Sequence, residues 1–167
     1  MSRFKFVNSY DDDEPINLKY KIGDEVAGIA SLEDFTFTFT FDYLSLDTSN
    51  LCFNNPNVSK EDFVEIFSLK KSLSKIKVRD IQDRFKRNFH FHEINLIDKK
   101  SLVEPLKKLF NYSKFIEPYK LPSLYQIAVY TDNQSLKAPR IVGFFGKYAV
   151  FHVLWLDYDH QIYKVKT

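Results

Sequence analysis

The stretch RIVGFFGKYAVFHVLWLDYDHQIY, residues 140–163, decides the fold. Arg140 to Phe145 reads as a short strand, Gly146-Lys147 as a tight turn, and Tyr148 to Leu156 as a strongly apolar central strand. Asp157-Tyr158-Asp159 turns the chain again, and His160 to Val165 forms a last short strand. In the central strand a period of two puts Phe151, Val153 and Trp155 on one face, and Val150, His152, Leu154 and Leu156 on the other. His152, set inside an apolar run, reads as a satisfied core histidine. Upstream, Leu124 to Tyr130 is a strand and Asp132-Asn133-Gln134-Ser135 a turn. Strands joined by such short turns make an antiparallel meander.

Helices precede the meander. Ser59 caps a helix that should run to about Ser74, with Asp62 three residues on, close to a capping box. Phe63, Ile66, Phe67, Lys70 and Leu73 lie on one stripe, which predicts the inward face. A second helix starts at Val78, with Val78, Ile81, Phe85 and Phe89 at helical spacing. Phe89 to Ile94 returns to a period of two and reads as extended. Ser101 to Tyr112 is a third amphipathic helix; Pro105 predicts a kink or a later start. Residues 117–122 form an extended connection.

Further upstream, Phe35, Phe37, Phe39 and Phe41 alternate with Thr36, Thr38 and Thr40. One face of this strand, residues 35–46, is all phenylalanine and the other all threonine. Asp47 to Asn50 and Asn54 to Asn57 are turns. Ile16 to Ile22 fits a short edge strand, after the acidic loop Asp11-Asp12-Asp13-Glu14-Pro15. Helices grouped between strands give an α+β class: an antiparallel β-sheet with a C-terminal meander and helices packed on one face. Residues 1–167 read as one domain, with 1–33 an acidic N-terminal part and 34–167 the core.

Composition agrees. The 167 residues include 17 Phe and 10 Tyr, enough large apolar surface to offset the ordering entropy. Cys52 has no partner for a disulfide and reads as a small half-buried hydrophobe. The first ten residues lack the apolar core of a signal peptide, and the run Ala149 to Leu156 is too short to span a bilayer. These features predict a cytosolic protein with no membrane partner. Charge is uneven: residues 1–60 hold five basic and ten acidic side chains, and residues 61–167 hold nineteen and twelve. A basic body suits a polyanion, and a solvated lysine-rich surface has the same composition.

Three patterns carry chemistry. Between Lys70 and His92 stand eight Lys or Arg and two acids. Arg84, Lys86, Arg87, His90 and His92 are the candidate nucleic-acid contacts within that run, with the solvated helix face as the plainer alternative. His90 and His92, on one strand face, could share a metal only with a further ligand such as Glu93, His152, Asp157 or His160. Beyond the central strand, His160 and Tyr163 stand three apart. Histidine suits proton transfer, and Tyr163 can donate a hydrogen bond or stack on a base. Arg140 on the preceding strand is the candidate to steady charge on phosphorus. The structural alternative is that His160 and Tyr163 close a turn. No Gly-rich phosphate loop, zinc-finger cysteine pair or nucleophile elbow is present.

Residues 140–163, an arginine strand, a turn, an apolar strand, then a histidine followed by a tyrosine, resemble the C-terminal strands of the RelE/ParE toxin superfamily. The order of helices before a final meander is similar too. The same segment resembles the ending of bacterial proteins of comparable length that share the sense of VFHVLWLDxxHxxY. The resemblance implies a cytosolic bacterial toxin that cuts mRNA on the ribosome without metal or other cofactor, paired with an antitoxin protein. It implies proton transfer and positioning by His160 and Tyr163, and phosphate contacts by Arg140, Lys86 and Arg87. Some members of the superfamily act on DNA gyrase and cut nothing. The alternatives are a non-enzymatic module that binds protein or nucleic acid, from a mobile element or phage-defence system, and a metal-dependent hydrolase built on His90 and His92.

Overall fold

The computed structural model describes residues 27–46, 51–83, 89–109, 121–132 and 137–163. The elements are β1 (Thr38–Thr40), α1 (Lys60–Leu73), α2 (Val78–Asp83), β2 (His92–Ile94), α3 (Val103–Leu109), β3 (Leu124–Ala128), β4 (Arg140–Phe145) and β5 (Val150–Asp157). The expected strand at 16–22, the basic residues Arg84, Lys86 and Arg87, and residues 47–50, 110–120, 133–136 and 164–167 lie outside the described residues.

The five strands form one sheet in the order β1-β5-β4-β3-β2. The α+β class and the C-terminal meander stand, with β3, β4 and β5 antiparallel in sequence. Two details depart from expectation. The sheet is mixed, because β1 pairs in parallel with β5, Phe39 opposite Phe151. The helices also divide between its faces. Ile66, Leu69, Leu73, Val78 and Ile81 of α1 and α2 pack with Phe37, Phe39, Tyr125, Phe145 and Phe151 on one face. Leu102, Val103 and Leu106 pack with Ile94, Leu124, Val142, Phe144 and Leu154 on the other. A strand apolar on both sides needs cover on both sides, and every residue of β3 and β4 is buried.

A β-bulge resets the side-chain alternation of β5. Val142 pairs with Trp155 but Gly143 with Val153, leaving Leu154 as the extra residue. Trp155 therefore joins Leu154 on the α3 face, and Leu156 joins Phe151 and Val153 on the other. This corrects the strict alternation expected for Phe151 to Leu156. Gly143 permits the bulge: a Cβ there would overlap the His152 carbonyl oxygen and sit 2.8 Å from the Phe151 ring.

The capping box at α1 is present. The Ser59 hydroxyl accepts from the Asp62 amide at 3.2 Å, and the Ser59 amide donates to the Asp62 carboxylate at 2.7 Å. The helix is rotated from its expected setting. Asp62, Ile66, Leu69 and Leu73 are buried, whereas Phe63 and Phe67 are 39% and 59% exposed. Positions 62, 66, 69 and 73 are themselves a helical stripe, and Asp62 is drawn inward by two tyrosines described below. In α3 the later start holds: a 3-10 turn at Lys100–Leu102 leads in, and Pro105 falls in the first helical turn, where its missing N–H costs nothing. The phenylalanine strand keeps its alternation, with Phe37 and Phe39 buried and Thr38 exposed, but only three residues pair. Among the described residues no helix is long and apolar enough to cross a membrane. Cys52 is buried, its sulfur accepting from the Asn54 amide at 3.0 Å.

Candidate functional site

Antiparallel pairing gathers the starts of β2 and β4 and the ends of β3 and β5 at one end of the sheet. His92 lies opposite Gln126, and Arg140 lies opposite both Ala128 and Asp157. The sequence-predicted residues His90, His92, Arg140, His160 and Tyr163 thus come from distant stretches to one place.

The segment after β5 is a turn where a strand was expected. Asp157, fully buried, accepts the Gln161 amide at 2.6 Å and the Ile162 amide at 2.9 Å. A carboxylate holding two amides four and five residues on bends the chain back, so residues 160–163 cannot extend along a neighbour. Ile162 is drawn into the α3-side core. His160 sits at the apex with φ 51, and His90 has φ 44. They are two of the four non-glycine residues with left-handed φ among the described residues; the other two, Tyr148 and Ala149, lie in the turn between β4 and β5.

The side chains interact. The ring of Tyr163 meets that of His92 edge to face at 5.0 Å, and Lys99 Nζ lies 4.3 Å from the Tyr163 ring centroid. His92 Nδ1 is 3.0 Å from the His90 carbonyl oxygen. Burial, helped by the positive charge of Arg140, pushes the His160 pKa below its ordinary value; Asp157 opposes the shift, and His90 and His92 add to it. His160 is therefore a neutral imidazole at neutral pH, ready to accept a proton. Burial and the charge of Asp98 raise the Tyr163 pKa, so its phenol stays protonated and can donate.

Arg140 takes a different place from the phosphate contact expected of it. It is buried, with Nη1 donating to the Tyr130 carbonyl at 3.0 Å and to the Pro139 carbonyl at 3.1 Å. Its Nε and the Oε1 of buried Gln126 have no hydrogen-bond partner among the described residues. Burial works against its charge, which Asp157 helps to retain. The positive charge of Arg140 is one of the causes that lower the His160 pKa. His152 belongs to the core as expected, but through its ring: it stacks on Phe144 at 4.7 Å and meets Tyr43 edge-on at 5.3 Å, and its Nδ1 has no hydrogen-bond partner among the described residues. No three His, Cys, Asp or Glu side chains gather to hold a metal among the described residues.

Sequence reasoning missed a second polar cluster beside this one. Asp62 accepts from the hydroxyls of Tyr130 and Tyr158 as well as from Ser59. Lys137 Nζ lies 5.5 Å from the Tyr158 ring centroid. Its sequence signal is faint: a capping-box aspartate, and tyrosines just beyond the ends of two strands.

The chain matches no protein-family model, no curated protein and no solved structure.

Proposed function

We propose that the chain is a metal-free endoribonuclease toxin of the RelE-like kind, acting on mRNA at the sheet end that carries His160. The observation that supports it is the meeting of His160, Tyr163, His92 and His90 there, with His160 kept neutral and two of the histidines in left-handed backbone. His160 takes the proton from a ribose 2′-hydroxyl. The 2′-oxygen attacks the adjacent phosphorus, a bond to the 5′-oxygen of the next nucleotide breaks, and a 2′,3′-cyclic phosphate forms. Tyr163 is the donor proposed to protonate the leaving oxygen, and Lys99, beside its ring, is a cation available for phosphate charge. Arg84, Lys86 and Arg87 supply further phosphate contacts in this reading, and an antitoxin is the expected protein partner.

The test is a cell-free bacterial translation reaction with mRNA ends mapped by primer extension. New ends that vanish with His160→Asn are expected; asparagine tolerates the left-handed backbone and so spares the fold. Intact mRNA with the unaltered protein would overturn the reading.

A second reading is a non-enzymatic binding module of a mobile element or phage-defence system. The exposed Phe63 and Phe67 favour it, because large apolar side chains left in water on one helix face suit a protein partner.

A further inference from the structure

An apolar groove lies on the α1 side of the molecule. Phe41, Leu44 and Leu46 from the chain after β1, Phe53 from the loop before α1, and Phe63 and Phe67 from α1 line about 480 Å³. Leu46 is 67% exposed, Phe67 59%, and Val64, beside them on α1, 63%. The volume falls in the range of functional pockets, and concave apolar surface takes side chains rather than a flat face.

Among the described residues, the charged side chains of α1 nearest this surface are lysines. Lys70 Nζ stands 5.9 Å from the centroid of the Phe41 ring, on the groove itself. On the exposed strip of α1, Lys60 lies three, four and seven residues before Phe63, Val64 and Phe67, and Lys71 lies four and seven residues after Phe67 and Val64. Glu61 and Glu65, the other exposed charges in the first half of the helix, fall on a different side of it by helical spacing. Asp42, next to Phe41, is an exposed acid whose charge is also felt by His152.

We propose that this groove docks a short amphipathic segment of a partner protein, one that inserts bulky apolar side chains and carries carboxylates along its flank. The apolar lining selects side chains over a polyanion, and the lysines Lys60, Lys70 and Lys71 select an acidic flank over a basic one. The proposal extends the binding-module reading, and it stands or falls separately from RNA cleavage, since no residue of the groove belongs to the sheet-end cluster.

Fluorescence anisotropy on the full chain tests it with two synthetic peptides that share one pattern of leucine and phenylalanine. One carries glutamate at the flanking positions and the other lysine. The glutamate peptide should bind at least about tenfold more tightly. Phe67→Ser should abolish that binding; the side chain is mostly exposed, so the fold is kept. Lys70→Glu with Lys71→Glu should reverse the preference. Equal binding of both peptides, or binding indifferent to Phe67→Ser, overturns the proposal. So does stronger binding to phosphatidylserine vesicles than to either peptide. Binding that appears only when Asp11, Asp12, Asp13 and Glu14 are replaced by serine assigns the groove to the chain's own N-terminal segment instead. Self-association lost with Phe67→Ser assigns it to a second copy.

Discussion

The hydroxyl of Tyr158 donates a 3.0 Å hydrogen bond to the carboxylate of Asp62, 96 residues earlier in the chain. Tyr130 donates to the other carboxylate oxygen. One buried acid therefore ties the first turn of α1 to the ends of β3 and β5. Hydrogen bonds to a charged acceptor are worth about 1.5–3 kcal/mol each. Tyr158→Phe should cost that much in urea unfolding, and Asp62→Ala about 3 kcal/mol, since it removes a cap and strands two phenols. An Asp62→Ala variant as stable as the parent would mean that the three elements hold together without the carboxylate.

The same acid sets an acid limit. Burial raises the Asp62 pKa, but the bonds from Tyr130, Ser59 and Tyr158 outweigh it and hold the carboxyl below its ordinary 3.8. A depressed carboxyl contributes stability that is complete above that value and drains away as pH falls through the folded pKa. Unfolding followed from pH 5 downward should show a loss that Asp62→Asn flattens.

His152 acts at higher pH. Its burial against Phe144 and Tyr43 lowers the pKa from 6.5, with Asp42 opposing. The unfolded chain then binds a proton that the folded chain refuses. Stability contributed by the neutral ring is complete above pH 6.5 and falls as the pH drops toward the folded pKa. His152→Phe should remove this slope in thermal melts between pH 7.5 and 5.5. A slope unchanged by the substitution would place the titration elsewhere, with His160 the next candidate.

Gly143→Ala should be among the most damaging single-methyl additions in the protein. The new carbon would strike the His152 carbonyl oxygen and the Phe151 ring, which the bulge holds close. Overpacking of this kind costs about 1–3 kcal/mol. A melting temperature within a degree of the parent would show that the β4–β5 ladder yields more easily than its geometry suggests.

In the proposed ribonuclease reading, activity at the sheet end should follow the charge of His160. With its pKa lowered by burial and Arg140, the imidazole loses its proton below the ordinary 6.5. RNA cleavage should therefore stay level through neutral pH and fall only on the acid side of that value. A rate that already declines between pH 8 and 7 would assign the base to another group.

Local signals were legible and distant ones were not. Ser59 and Asp62 announce the start of α1 because the capping box is closed within four residues. The turns around β4 and β5 announce the meander for the same reason. The rotation of α1 was hidden, because what draws Asp62 inward is a pair of tyrosines at 130 and 158. The bulge was hidden because Leu154 differs from its neighbours only in having no partner across the ladder. At the candidate site, His160 and Tyr163 could be named from their spacing. That they lie on a turn depends on Asp157, whose carboxylate reads in sequence as an ordinary turn residue. The burial of Arg140 depends on carbonyls at Tyr130 and Pro139, which no side-chain pattern displays.

The parallel pairing of β1 with β5 bears on how the chain is made. Phe37 and Phe39 bury against Phe145 and Phe151, residues the ribosome adds more than a hundred positions later. Until residues near 150 have left the exit tunnel, the phenylalanine face of β1 has no sheet to rest on. A nascent chain stalled before β5 therefore displays the very stripe that the finished protein hides, and premature termination in the last strand yields a sticky product rather than a shortened working one.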